Sequence, residues 1–353
     1  MLEKTLLTMR ISNRLAAACC LTTVAILPCY AATQSEKPMM KAVVIHAFGG
    51  PEVLKVEDVP RPEPKEDEVL IRVIAASVNP VDAAIRQGYL ARIIGDKLPL
   101  IPGMDAAGVV EKTGAKMSKF EAGDPVYAFF TLASEGGYAE FVLAKENEVA
   151  PKPKALPYEQ AAAVPAAGST AWKALVETAN LSAGQTVLIH GGSGGVGHFA
   201  IQIAKARGAR VIATASTANQ DFLKQMGADV AIDYTKSKFE DIAKDVDVVL
   251  DAVGEDTLKR SYGVVKKGGI IVSIVDDPDK AALDARGIRG ISIRTDPKAS
   301  VLEELTRLID TKKVTPVVSQ VLPLSEVVKA HEQIATRHTR GKIVLRIADD
   351  PKN

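Results

Sequence analysis

Gly192, Gly194 and Gly197 stand at G-x-G-x-x-G spacing, between an apolar run (Val187-Leu188-Ile189) and a stretch with apolar residues at Val196, Phe199, Ala200, Ile203 and Ala204. The run reads as a buried strand and the stretch as a helix with one oily face. Glycines at such a turn permit positive φ, let a pyrophosphate approach the backbone, and let helix and strand pack closely. The helix start adds unpaired N–H groups and a partial positive charge that suit phosphate. Gly192, Ser193, Gly194, Gly195, Val196 and Gly197 are therefore the candidate cradle, and the strand–turn–helix setting points to a dinucleotide.

The second strand of this unit, Arg210 to Thr214, runs out through Ala215, Ser216 and Thr217, and the first acid after it is Asp221. A carboxylate at that strand end would hold a ribose 2′-hydroxyl. It would also repel a 2′-phosphate, by roughly 4 kcal/mol at 4 Å and an effective dielectric of 20. An acid-free loop of small hydroxyls therefore points to NADPH. Thr214, Ser216 and Asn219 are the candidates at the phosphate, with Tyr234 closing over the same end. No arginine stands near this loop in the sequence. Val253 and Gly254, after the fourth strand, are expected along the cofactor ribose by the switch-point rule.

These residues need a particular frame. From residue 161 to about 300 the chain alternates short apolar runs with helical stretches, which builds a doubly wound parallel sheet, the Rossmann arrangement. Residues 40–160 hold many short strand-like runs punctuated by Pro60, Pro62, Pro64, Gly114 and Gly123-Asp124-Pro125, which predicts a barrel-like β domain. Helical stretches at Val301–Asp310 and Ser325–Thr336 and a strand at Lys342–Ile347 are expected to return residues 301–353 to that first domain. Tyr158–Ala179 reads as one helical stretch and Leu258–Val265 as another. The fold class is thus α/β in two domains.

Composition narrows the function. The 353 residues carry a net charge of +1, which gives no electrostatic footprint for nucleic acid or an anionic membrane. All three cysteines, Cys19, Cys20 and Cys29, lie in the first 35 residues, so the rest of the chain has no thiolate to offer a metal, a disulfide or a nucleophile. Those 35 residues differ from the body: Lys4, Arg10 and Arg14 precede an uncharged apolar run, Leu15 to Leu27, and a small-x-small site at Cys29-Tyr30-Ala31. This reads as a signal peptide and so a periplasmic or secreted protein. An uncleaved anchor is one alternative. The other is a translation start at Met39 or Met40, which leaves the protein cytoplasmic.

Asn79-Pro80-Val81-Asp82, Pro102-Gly103-Met104-Asp105-Ala106-Ala107-Gly108, Gly123-Asp124-Pro125-Val126, the glycine cluster and Arg340-Gly341-Lys342-Ile343-Val344 occur in this order. Together they resemble the medium-chain dehydrogenase/reductase superfamily, and within it the zinc-free, zeta-crystallin-like quinone oxidoreductases. The resemblance spans about Met40 to Ile347. It implies a GroES-like β-barrel catalytic domain, a homodimer and hydride transfer from NADPH to a quinone. Zinc members are similar but carry Cys where Asn79 stands and His-Glu where Met104-Asp105 stands, so no metal site is expected. A lysine that some members use at the 2′-phosphate is replaced by Asn219, and a tyrosine after the Asn-Pro-x-Asp motif by Ala84, with Tyr89 further on.

On this reading Asn79 and Thr170 hold the nicotinamide end, Lys342 meets the pyrophosphate, and Tyr89 hydrogen-bonds the acceptor oxygen. Asn79 and Tyr89 are the candidate catalytic pair, and protons come from water because no acid–base dyad emerges. Two rivals stay open. One is an enone or enoyl-thioester reductase, for which Tyr89 is the proton donor; the other is a non-catalytic dinucleotide-binding protein.

Overall fold

The computed structural model describes residues 37–350 except Asp96 and Ala133; the leader and its cysteines lie outside them. In chain order, β1 (Met39–Val44) and β2 (Lys55–Pro60) form a small antiparallel pair. There follow β3 (Glu68–Val78), α1 (Pro80–Arg86), α2 (Ala91–Ile94), β4 (Asp105–Thr113), β5 (Pro125–Phe129), β6 (Phe141–Lys145) and β7 (Val149–Pro151). Next come α3 (Tyr158–Ala162), α4 (Pro165–Trp172), β8 (Thr186–Ile189), α5 (Gly195–Ala206), β9 (Arg210–Ala215), α6 (Gln220–Gln225), β10 (Val230–Asp233), α7 (Phe239–Ile242), β11 (Val246–Asp251), α8 (Glu255–Ser261), β12 (Val265–Ser273), α9 (Lys280–Asp284) and β13 (Arg289–Ser292). The chain closes with α10 (Ala299–Asp310), β14 (Val318–Pro323), α11 (Val327–Ala335) and β15 (Lys342–Arg346).

Six strands make an all-parallel sheet in the order β10-β9-β8-β11-β12-β13, the doubly wound Rossmann order. Helices cover both its faces, so after Thr186 β8 is a continuous apolar run rather than an alternating one; Val187, Leu188 and Ile189 are fully buried. The order reverses between β8 and β11, which places the glycine turn and Asp251–Gly254 side by side at the strand ends. The second sheet runs β14-β15-β3-β4-β5-β7, with β6 also on β3. Its long central strand β3 pairs antiparallel with β4, β6 and the C-terminal β15. The two sheets share one core: Tyr127 of β5 packs with Leu302 and Leu305 of α10 and Phe199 of α5, and its hydroxyl donates to the Leu302 carbonyl at 2.5 Å.

Several local expectations change. The stretch Tyr158–Ala179 is not one helix: Pro165 has no N–H to give, so α3 stops, α4 restarts at the proline, and a π-helical segment, Lys173–Thr178, follows. The helix read over Leu258–Val265 instead occupies Glu255–Ser261, because Val265 opens β12. Helix α1 and strand β14 had no counterpart in the sequence reading. In α1, Pro80 supplies the first helical residue and the Asp82 carboxylate accepts the Asn79 N–H at 2.8 Å. Among the described residues no helix is long and apolar enough to cross a membrane.

Candidate active site

The glycine turn joins β8 to the start of α5, with one shift of position from the sequence expectation. The positive φ falls on Gly191 (69°), one residue before the fingerprint, rather than on Gly192, Gly194 or Gly197. A Cβ on Gly197 would lie 2.2 Å from the Gly191 carbonyl oxygen and 2.7 Å from Gly192 Cα, so this glycine lets the helix start against its own turn. Gly194 is the helix N-cap, and Gly195 and Val196 begin α5. Val253 touches the turn, since a Cβ on Gly191 would meet its Cγ2 at 3.5 Å. The buried Asp251 accepts the Val253 and Gly254 N–H groups and fixes that loop. Thr214, expected at the 2′-phosphate, is buried beneath the glycine turn: its carbonyl accepts the Gly192 N–H at 2.9 Å, and its hydroxyl is 3.1 Å from His190 Nδ1.

At the far end of β9 the structure brings in a residue that the sequence reading did not place there. Arg340, 121 positions beyond Asn219, donates from Nε to Asn219 Oδ1 at 2.7 Å and from Nη2 to the Ala218 carbonyl at 3.0 Å. Asn219 in turn donates to Ser216 Oγ at 3.2 Å. An acid arrives as well: Asp233, at the end of β10, accepts from Thr217 Oγ1 at 2.6 Å. Hydrogen bonds from Thr217 and Thr235 hold its carboxyl at about 2, so it is ionised. Lys236, 3.5 Å away, offsets that charge. Tyr234 is half-exposed beside it.

Between the two sheets lies a buried polar cluster. Asn79 Nδ2 donates to Asp105 Oδ2 at 2.9 Å, and Asn79 Oδ1 accepts from Lys342 Nζ, which also donates to the Val78 carbonyl at 3.1 Å. Asp105 further accepts from Ser77 Oγ at 2.5 Å and from the Ala166 N–H at 2.7 Å, with Lys342 Nζ 3.8 Å away. Burial pushes the Asp105 carboxyl up and the Lys342 ammonium down, each against the attraction of the other. Asp82, bound by the Asn79 N–H, the Met104 N–H and the Tyr138 hydroxyl, is pushed up to about 7, chiefly by burial and partly by the nearby charge of Asp105. The Lys342 stem crosses the start of α5, where a Cβ on Gly195 would come within 3.1 Å of its Cδ. Its ammonium is therefore spent on Asn79 and Val78, not presented to the phosphate turn.

A cavity of about 70 Å³ opens beside this cluster, lined by the apolar Ile85, Ile94, Leu100, Met104 and Leu132 together with Lys97, Thr131, Ser134 and Glu135. Tyr89 sits on the turn between α1 and α2, which contribute Ile85 and Ile94, and is 76% exposed. Thr170 is half-buried on α4, where its hydroxyl donates to the Ala166 carbonyl at 2.7 Å. Among the described residues, no group of three or more His, Cys, Asp or Glu side chains could hold a metal ion. The arrangement offers a glycine turn at a helix start whose free N–H groups suit an anion, a basic residue at the second strand end and a small cavity beside a buried polar cluster.

Residues 65–154 match the family described as alcohol dehydrogenase GroES-like domain, and residues 226–345 the one described as zinc-binding dehydrogenase. The chain is 41% identical over 317 residues to the chloroplastic NADPH-dependent alkenal/one oxidoreductase of Arabidopsis thaliana, a match that spans 87% of this chain and 79% of the relative. It is 35% identical over 325 residues to the quinone oxidoreductase of Sus scrofa, covering 87% and 98% of the two chains. The solved quinone oxidoreductase of Coxiella burnetii superposes with a TM-score of 0.82 at 36% identity, over 88% of this chain and 100% of that one.

Proposed function

The chain belongs to the medium-chain dehydrogenase/reductase family and is an oxidoreductase, and from that premise we propose that it passes hydride from NADPH to a quinone without a metal. The observation that carries the cofactor is Arg340. Its guanidinium lies on the Ser216–Asn219 loop, where a 2′-phosphate would rest, and it outweighs Asp233, whose charge is turned to Thr217, Thr235 and Lys236. Bound NADPH supplies the hydride, and a proton from water completes the two-electron reduction to the hydroquinone. The protein cradles the pyrophosphate on the turn after β8, holds the acceptor in the apolar cavity and keeps water from the buried cluster.

The donor set argues against a zinc ion. Asn79 has both ends of its amide paired, Met104 is packed in the core, and Asp105 already faces the Lys342 ammonium. A second cation there would sit beside the first in a medium that screens poorly. An enone acceptor is the second reading. It is favoured by the higher identity to the alkenal/one oxidoreductase, 41% against 35%.

The test is NADPH and NADH oxidation against a quinone and enone panel, in the wild type and in Arg340→Gln. The wild type should prefer NADPH. Arg340→Gln should weaken NADPH by about 10- to 100-fold, as loss of a charged hydrogen bond does, and leave NADH unchanged. Absence of turnover with either nucleotide would overturn the proposal. We also read the chain as a homodimer, a reading supported by the open edge strand β13 with Ile291 exposed; sedimentation tests it. Export remains our reading of the leader, to be checked by N-terminal sequencing of the native protein.

A further inference from the structure

We infer that Lys342 is a positioning residue that acts through Asn79, clamping its amide and fixing the distance between the phosphate turn and the acceptor cavity. The inference rests on the hydride-transfer reading and adds a role that neither the motif nor the resemblance supplies.

Three observations carry it. The first is the clamp. Lys342 Nζ meets the oxygen of the Asn79 amide while Asp105 Oδ2 takes its nitrogen, so the amide has a cation at one end and a carboxylate at the other and cannot flip. All the groups involved are buried: Lys342 is 3% exposed, Asn79 5% and Asp105 0%. The ammonium donates to two acceptors, Val78 O and Asn79 Oδ1, with the Asp105 carboxylate 3.8 Å away as its ion-pair partner, and a charge-assisted contact shielded from water holds its geometry firmly.

The second is the anchoring of each end. Lys342 belongs to the tripeptide whose Gly341 N–H donates to the Ser193 carbonyl at 2.9 Å, so its backbone is tied to the phosphate turn. Its stem then lies across the start of α5. Asp105, at the other end, holds the first turn of α4 through the Ala166 N–H and directly follows Met104, which lines the cavity. The side chain thus runs as a strut from the cradle to the acceptor wall. The third is Gly341 itself. Its φ of +60°, with a would-be Cβ only 2.3 Å from the Val317 carbonyl oxygen, fixes the direction in which the strut leaves the chain. Arg340, one residue earlier, reaches the opposite end of the cradle. A single tripeptide therefore touches both ends of the nucleotide site.

A strut that sets spacing affects the reaction step more than cofactor affinity, because misplacement by about 1 Å costs on the order of 100-fold in rate. Lys342→Met keeps the stem and removes the charge. In the full-length protein this variant should bind NADPH within about threefold of wild type, by calorimetry, while kcat falls about tenfold or more and the primary deuterium isotope effect from 4-deuterated NADPH rises. Lys342→Arg should restore part of kcat.

A readout independent of turnover is the Asn79 side-chain amide cross-peak in the cofactor-free protein, identified by its loss in Asn79→Leu. It should be slow to exchange in wild type and fast in Lys342→Met. Asn79→Leu cuts the same bond from the other side, and should lower kcat as Lys342→Met does, should that variant fail to fold. An unchanged cross-peak, or an NADPH affinity lost with kcat intact, would overturn the inference and return Lys342 to the pyrophosphate. If the wild type oxidises no nucleotide, the hydride-transfer reading fails, while the amide measurement still decides the clamp.

Discussion

Tyr89 is the side chain whose surroundings bear most directly on the choice between quinone and enone. Its ring stands in solvent on the turn between α1 and α2, the helices that contribute Ile85 and Ile94 to the cavity wall. A quinone needs no proton donor at carbon, so Tyr89→Phe should leave quinone turnover within about twofold, the usual size of an exposed substitution. A selective loss of enone turnover in the same variant would identify the phenol as the donor and favour the second reading. One residue and one pairing of the site were hidden from the sequence. Arg340 acts 121 positions away from the loop it serves, a distance that only the return of β15 closes. The pairing of Asn79 with Lys342 joins residues 263 apart, so neither spacing nor residue type announces it.

At the scale of the element, the strand–turn–helix of β8 and α5 was legible because each part is specified locally: an apolar run, a glycine cluster and a one-sided helix. Its glycines nonetheless have separate tasks, and substitution tells them apart. Gly197→Ala would drive a Cβ to 2.2 Å from backbone, which cannot yield, so the variant should lose about 3 °C or more in Tm, or fail to accumulate. In Gly194→Ala the nearest atom, the Gly191 carbonyl oxygen, is 3.3 Å away. This change should cost less in Tm than Gly197→Ala and, on the proposed reading of the turn as the pyrophosphate cradle, weaken NADPH binding. Equal Tm losses in both would show that the two positions share one packing role. Helix α1 was less legible. Seven residues after an Asn-Pro turn carry little periodic signal, and the carboxylate that starts the helix, Asp82, is itself held by Met104 and Tyr138 from other segments.

For the molecule as a whole, three buried histidines govern the response to acid. Burial holds His190 at about 3, His198 at about 4 and His331 at about 3, all below the ordinary value of 6.5. An unfolded chain takes up the protons that these imidazoles refuse, so their stability contribution is complete above pH 6.5 and is lost as pH falls toward 4. Asp82 works in the other direction. Its carboxyl, raised from 3.8 to about 7, favours the folded state below pH 4, and that contribution is lost as pH rises to 7. Three imidazoles outweigh the two raised carboxyls, Asp82 and Asp105, so the urea midpoint should fall from pH 6.5 to 4; a flat profile would contradict the burial of the histidines.

The place of β15 has a consequence for biogenesis. This strand lies between β14 and β3, so the seven-stranded sheet cannot finish pairing until residues 342–346 have left the ribosome. The parallel sheet, complete by Ser292, has no such wait. During synthesis residues 75–78 of one β3 edge, which β6 does not cover, therefore stay open for some 260 codons, a hazard for nascent-chain aggregation that falls to chaperones to guard.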